Sequence, residues 1–341
     1  MLIDLEKAAD DLLLDAEICI VGAGAAGVAL ARDLMKAGRD VCLLEAGGLD
    51  FDEQTQSIFK GSNIGMEYYD LDHSRLRFFG GTTNIWGGRS IPLDPIDFEK
   101  RDWVPYSGWP ITLDELMPFY KIAHDSLELG EYAYENAVWD QLNLRPIDFD
   151  PAAISHRFWR FDALKERFNR SRSDDLIKAP NVRIVLHANV VGLRATENAT
   201  EIACLDASTL QGRGLQVRAR HFVLACGGIE NVRLLLMSSD VEANGIGNRH
   251  DQVGRYFMEH PHGRIAHIET RDPAAIWGLY RKRFPATDVP VAPALVLPPS
   301  LQKQLGVLNS AATFKLERDP AKGATMSRRV YLNVKRSVSP N

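Results

Sequence analysis

The stretch that most limits what this chain can fold into runs from Ile18 to Glu45. It opens on Ile18-Cys19-Ile20-Val21, a short apolar run bounded by glycine, which is the pattern of a strand buried on both faces of a parallel sheet. Gly22-Ala23-Gly24-Ala25-Ala26-Gly27 follows, and then Val28, Ala31, Leu34 and Met35 recur at the spacing of one helix face, with Gly38 as the stop. Val41-Cys42-Leu43-Leu44 repeats the buried-strand pattern and closes on Glu45. Each special residue has a chemical use in this order. Gly22 permits a tight turn, Gly24 lets a pyrophosphate come close to the backbone, and Gly27 lets helix and strand pack tightly. The free N–H groups at the start of the helix would receive the phosphates, and the Glu45 carboxylate would accept from ribose hydroxyls. A glycine-rich turn in an ordinary α/β core could also carry a G-x-G-x-x-G. Strand, helix, small Ala31, Gly38 and a correctly spaced acid together point to a dinucleotide, either FAD or NAD.

At 341 residues the chain is long enough for two domains. Its formal net charge of -5 comes from interspersed acids and bases, which speaks against a nucleic-acid or anionic-membrane surface. Cys19, Cys42, Cys204 and Cys226 lie apart from one another in apolar runs. They read as buried thiols in a reducing cytoplasm, with neither a disulfide framework nor a metal site. Residues 1–17 lack the basic-then-apolar order of a signal peptide, and Arg32, Asp33 and the glycine turn argue against a membrane span over the apolar stretch. The first sixteen residues are expected to form a short amphipathic lead-in, with Leu12-Leu13-Leu14 packing under the first strand.

After Glu45 about thirty residues lack a regular pattern, longer than a simple connection needs. The stretch ends in Arg75-Leu76-Arg77-Phe78-Phe79-Gly80-Gly81-Thr82-Thr83-Asn84-Ile85-Trp86-Gly87-Gly88. Paired glycines expose consecutive N–H groups that form an anion nest. Thr82, Thr83 and Asn84 add hydrogen-bonding groups, and Trp86 adds a flat apolar surface, a set suited to a polar heterocycle with a phosphate tail. Thr112-Leu113-Asp114-Glu115 is a capping box. Pro118 is expected to open the following helix, which would run to Gly130 with Phe119, Ile122, Ala123 and Leu127 on one face and His124 in a satisfied structural role. Residues 161–178 read as an amphipathic helix. From Val182 strands are expected as a three-stranded meander inserted between halves of the nucleotide domain, with Leu215 to Arg220 alternating cleanly. Phe222 to Cys226 is a further buried strand, and Gly227-Gly228 opens a helix to Met237.

Four blocks in order resemble the glucose–methanol–choline (GMC) family of FAD oxidoreductases. They are Gly22 to Glu45, Gly80 to Gly88, Ala225-Cys226-Gly227-Gly228-Ile229-Glu230-Asn231, and Val253-Gly254-Arg255-Tyr256-Phe257-Met258-Glu259-His260-Pro261. The resemblance covers most of residues 17–262. It implies a Rossmann-type α/β FAD-binding domain over residues 1–100 and 180–262, with an inserted β-meander. Residues 101–179 would cover the site, and residues 263–341 would form a partial antiparallel substrate-binding sheet. It implies FAD contacts from Gly22, Gly24, Ala25, Ala26 and Gly27, from Glu45 and Ala46, and from Arg77. The Gly80–Gly88 loop would add Gly80, Gly81, Thr82, Thr83, Asn84, Trp86 and Gly87, Val190 would touch the adenine, and Ala225 and Gly227 would close over the cofactor. FAD is then favoured over NAD, since a plain NAD unit has no use for a second phosphate-and-ring loop.

Two departures matter. Some members carry a flavin-linking histidine one residue before the Trp86 position. Ile85 stands there, so FAD is expected to be held non-covalently. The family's catalytic histidine lies in a C-terminal segment reading roughly H-P-x-G-T, and no such segment is found after His262, so no catalytic residue is assigned. His260 and His262 are weak substitutes, because His260 matches a structural segment. The expected reaction is oxidation of a CH–OH group in a small alcohol, sugar or polyol, with hydride passing to flavin N5 and electrons to an unidentified acceptor. The alternative is an FAD-binding module without turnover of its own, a truncated form or a subunit completed by another chain.

Overall fold

A computed structural model describes residues 1–162, 167–285, 289–318 and 326–336, with side chains up to residue 316. In chain order the strands are β1 Leu2–Asp4, β2 Leu12–Val21, β3 Val41–Leu44, β4 Arg89–Ser90, β5 Ser155–Phe161, β6 Val182–Leu186, β7 Asn189–Ala195, β8 Ile202–Ser208, β9 Gly214–Leu224, β10 His262–Glu269, β11 Val291–Val296, β12 Ser310–Arg318 and β13 Met326–Arg336. The helices used below are α1 Ala25–Lys36, α2 Leu113–Ser126, α3 Ala137–Gln141, α4 Gly228–Met237 and α5 Pro273–Tyr280. Two compact units divide the chain, residues 1–86 with 165–255, and residues 87–164 with 256–341. Among the described residues no helix is long and apolar enough to cross a membrane.

The first unit is built on a seven-stranded sheet in the order β1-β6-β3-β2-β9-β8-β7. The first five strands of that order pair in parallel, and β9, β8 and β7 pair antiparallel. β3 is buried along its whole length, as a strand covered on both faces must be. Cys19, Cys42, Leu44, Val185, Leu205 and Val217 meet in the core beneath it. The fold class is therefore the α/β dinucleotide type that the opening stretch implied, with a separate antiparallel sheet in the second unit.

Several local expectations are corrected. The lead-in is strand: β1 pairs with β6 through Leu2↔Ile184, and β2 starts at Leu12 rather than Ile18. Leu12 and Leu14 turn inward while Leu13 stays half exposed, so the Leu12-Leu13-Leu14 run alternates as a strand does. The runs from Leu215 and from Phe222 are one continuous strand, β9, which joins the meander to the parallel sheet through β2. Residues 161–178 do not form one helix. Phe161 ends β5, a 3-10 turn spans Arg170–Arg172, and a short helix spans Asp174–Lys178, while residues 163–166 lie outside the described residues.

The second unit carries an antiparallel sheet in the order β10-β13-β12-β11-β5-β4. One face is packed by α3 and α5, where Trp139, Tyr280, Phe158, Leu295 and Phe314 interlock. Alternation puts Trp159, Phe161, Ala292, Ala294 and Ala311 on the other face. The capping box at Thr112 forms as expected: Thr112 N donates to Glu115 Oε2 at 2.7 Å, and Glu115 N donates to Thr112 Oγ1 at 3.3 Å. Pro118 lies inside the helix that this box starts, not at its first turn. Phe119 and Ile122 are exposed, so the expected apolar face is not buried. The buried residue is His124, bonded to Tyr134 Oη at 2.9 Å and Gly130 O at 2.8 Å, a structural role as expected.

Candidate cofactor site

The site grows from the turn after β2. Gly22 adopts φ +102, a left-handed conformation, and a Cβ there would lie 2.7 Å from Ala225 O. A Cβ on Gly27 would lie 1.9 Å from Gly22 O, so helix and turn are in direct backbone contact. Gly24 is different. It is the N-cap of α1, no side chain caps the helix, and a Cβ would meet nothing within 4 Å. The first N–H groups of α1 therefore face open space with the positive end of the helix dipole behind them.

The second glycine block docks on the first. Gly80 N donates to Ala23 O at 2.8 Å, and a Cβ on Gly81 would lie 3.3 Å from Gly24 Cα. Thr83 Oγ1 donates to Gly80 O, and Asn84 Nδ2 donates to Phe79 O and Gly81 O at 3.1 and 2.9 Å. These polar groups thus hold their own loop in shape. The third block closes from the far side: Ala225 N donates to Val21 O at 2.8 Å. Asn231 locks that turn, accepting from Cys226 N at 2.9 Å and donating to Leu224 O at 3.2 Å.

The three blocks enclose a cavity of about 320 Å³. Its wall includes Gly22, Gly24, Ala25 and Ala26 from the first turn, and Glu45 and Ala46 from the end of β3. Arg77, Gly81, Thr82 and Thr83 come from the second block, with Val190, Ala225 and Gly227 beyond them. Gly27, Gly80, Asn84 and Trp86 do not line the cavity, the Trp86 ring lying edge-on to Phe168 at 6.1 Å, and Gly87 belongs to the second unit.

Glu45 is buried, and its carboxylate already accepts from Ala23 N at 2.9 Å and Gly47 N at 3.0 Å. Burial pushes its pKa up, and those amides together with Arg77 offset part of the rise. Each carboxylate oxygen has a second lone pair, so the group can still accept from a ligand hydroxyl. Arg77 is buried as well. It donates to Asn189 Oδ1 at 2.8 Å, and its Nε has no partner among the described residues. An uncapped helix start, open space at Gly24 and a buried guanidinium with an unused donor fit an anionic dinucleotide.

Residue patterns did not single out the polar wall contributed by α4. Glu230 pairs with Arg75 and Arg233, each at 2.8 Å, and lies 4.0 Å from Arg77. Burial would raise its pKa, but Arg233 and Arg75 outweigh that and leave it lowered. Phe59 lies beneath both Arg75 and Arg77, at 4.1 and 4.9 Å from the ring centre. Burial first, then the Glu45 and Glu230 carboxylates, push the Cys226 thiol to about 12. Glu230 sits in the first turn of α4, where an acid suits the helix dipole, and nothing local links it to an arginine 155 residues earlier. His260 and His262 lie in the second unit, both exposed.

Comparison with known proteins agrees with this geometry. The profile of the FAD dependent oxidoreductase family matches residues 17–244. The chain is 27% identical to 6'''-hydroxyparomomycin C oxidase of Streptomyces lividus, over 80% of its own length and 59% of that protein. It is 26% identical to paromamine 6'-oxidase of Streptomyces fradiae, over 72% of its length and 53% of that protein. It also resembles the fructose dehydrogenase large subunit of Gluconobacter japonicus, at 23% identity over 73% of the chain and 59% of the relative. The chain thus spans somewhat over half the length of these relatives. Its fold is shared with the crystal structure of pyridoxine 4-oxidase from Mesorbium loti, at a TM-score of 0.52 and 16% identity, covering 94% of this chain and 71% of that one. With a family match over two thirds of its length, and relatives of the glucose–methanol–choline kind that its four blocks resemble, the chain belongs to the FAD dependent oxidoreductase family.

Proposed function

We propose that this chain holds FAD non-covalently in its first unit and serves the oxidation of a CH–OH group in a small alcohol, a sugar or polyol. The observation that carries the reading is the meeting of three glycine-bearing blocks around an uncapped helix start, with Glu45 and Arg77 in the same wall. Gly22, Gly24 and the first amides of α1 would receive the pyrophosphate. Glu45 would orient the ribose, and Val190 would meet the adenine. Gly81, Thr82 and Thr83 would lie along the phosphates and the ring system, with Asn84 and Trp86 supporting that loop. Ala225 and Gly227 would close over the cofactor. FAD, when bound, supplies the hydride acceptor, and the protein supplies position and electrostatics. Ile85 offers no nucleophile for a covalent link at its position. The face of the second unit's sheet opposite α3 and α5 would receive the substrate, and an acceptor outside the chain would take the electrons. Four unpaired cysteines favour a reducing compartment, the cytoplasm.

A second reading, an FAD-binding module completed by another chain or a further segment, rests on the span: the chain covers 53–59% of the relatives named above. The test uses the purified chain. A flavin absorption spectrum that survives gel filtration and bleaches anaerobically on addition of glucose, fructose or a polyol supports the oxidoreductase reading. Flavin that stays oxidised with all of them favours the module, and a chain that takes up no FAD sinks both.

A further inference from the structure

A second cavity, of about 560 Å³, opens on the face of the second unit's sheet opposite α3 and α5. Arg89, His262 and Arg264 line it together with Trp159, Ala311 and Thr313, and no described lining residue is a carboxylate. Arg89 stands on the edge strand β4, and its guanidinium lies over the Trp159 ring at 4.6 Å from the centroid. It has no carboxylate partner among the described residues. Stacking on an aromatic face fixes the plane of the guanidinium while leaving its in-plane N–H donors directed outward. On the same face Lys282 Nζ lies 3.6 Å from the centre of the Phe161 ring, whose residue pairs with Arg89 across the strands.

The adjoining cavity shares Arg89, Trp159 and Ala311, and it does contain acids. Those acids are already matched. Arg157 Nη2 lies 2.8 Å from Asp94 Oδ1, Asn309 Nδ2 donates to Asp94 Oδ2 at 3.3 Å, and Asp97 lies 3.8 Å from Arg101. The positive charge at Arg89 is therefore not cancelled from that side. Ala311 and Gly263 add almost no side-chain bulk, which leaves room beside the two arginines.

We propose that this cavity binds the acidic group of the substrate, so that the alcohol oxidised is an anion: a polyol or sugar carrying a carboxylate or a phosphate. The inference rests on the functional reading above and sharpens its substrate class. Arg89 offers a planar pair of donors that matches either oxyanion, and Arg264 and His262 line the same cavity from β10. A cationic amino sugar would meet this field unfavourably.

Calorimetric titration of the FAD-loaded chain tests the proposal without requiring turnover, with gluconate, glucose 6-phosphate, glucose and glucosamine as probes. At least one of the two acids should bind tenfold or more tightly than glucose, and glucosamine should bind weakest. Comparing gluconate with glucose 6-phosphate separates carboxylate from phosphate. Arg89→Met should lower binding of the preferred acid at least tenfold while leaving glucose within about twofold, and Arg89→Lys should recover part of the loss. Arg264→Met, remote from the Trp159 stack, gives a second variant should Arg89→Met lose its fold. Equal affinity for glucose and both acids, or acid binding unchanged in both methionine variants, overturns the proposal. Flavin content and anaerobic bleaching are read on the same preparation. A chain that bleaches with glucose and ignores both acids overturns this inference alone, whereas loss of flavin with acid binding intact overturns the functional reading and leaves the anion site standing.

Discussion

Gly24 and Gly27 stand three residues apart in one motif, yet the structure assigns them opposite sensitivities. In Gly27→Ala the new Cβ would sit 1.9 Å from Gly22 O, and contacts of that kind are essentially never under 3.0 Å. The start of α1 would have to withdraw from the turn by about 1.1 Å, with a backbone carbonyl as the obstacle. Overpacking of this sort costs about 1–3 kcal/mol. For a unit of this size that corresponds to a drop of about 2–12 °C in melting temperature. In Gly24→Ala the Cβ meets nothing within 4 Å, and φ -78 with ψ -170 is open to alanine. The change in fold stability should stay within about 1 kcal/mol, since the lost cap preference and the reduced unfolded-state entropy oppose each other. The space that the methyl fills is where the pyrophosphate would lie. FAD affinity should therefore fall at least tenfold, about 1.4 kcal/mol. Differential scanning fluorimetry of the flavin-free chains and fluorescence titration with FAD separate the two effects. A Gly24→Ala chain that binds FAD like the parent would refute the placement of the phosphates. A Gly27→Ala chain that melts like the parent would refute the contact between helix and turn.

Two further outcomes follow from other parts of the fold. Glu230 has a lowered pKa in the folded state, so its contribution is present above the ordinary carboxylate value of 4.5 and is lost as pH falls through the lowered one. Glu230→Gln should flatten the acid limb of the first unit's melting profile below about pH 5, and an unchanged limb counts against the arginine cluster as its cause. Phe158 is fully buried, with its ring 4.9 Å from Trp139, and Phe158→Ala should cost the second unit about 3–5 kcal/mol in urea unfolding. A loss below about 1 kcal/mol would mean that the face packed by α3 and α5 is not a tight core.

Much of the first unit was legible because its signals are local. A buried parallel strand reads as an unbroken apolar run, and a close helix–strand contact demands glycine, so residues 18–45 carry their fold on their face. The capping box at Thr112 is equally local, since four consecutive residues satisfy one another. The misread parts lack such a signal. β1 is three residues long, too short for periodicity, and it is strand because β6 offers it an edge. Phe119 and Ile122 sit at helical spacing and remain exposed, since an apolar stripe states what could be buried and not whether a partner arrives.

The sequence by itself determined the cofactor class and the α/β fold, because glycine positions, strand runs and the acid at Glu45 act through their immediate neighbours. Only the tertiary structure decided how Glu45 spends its carboxylate, bonded to Ala23 N and Gly47 N deep in the wall. It alone brought Glu230 to Arg75 across 155 residues, and stacked Arg89 on Trp159 on the sheet face opposite α3 and α5. Those contacts depend on strand order and register, which bring distant charges together, and no short-range pattern in a chain encodes which distant charges will meet.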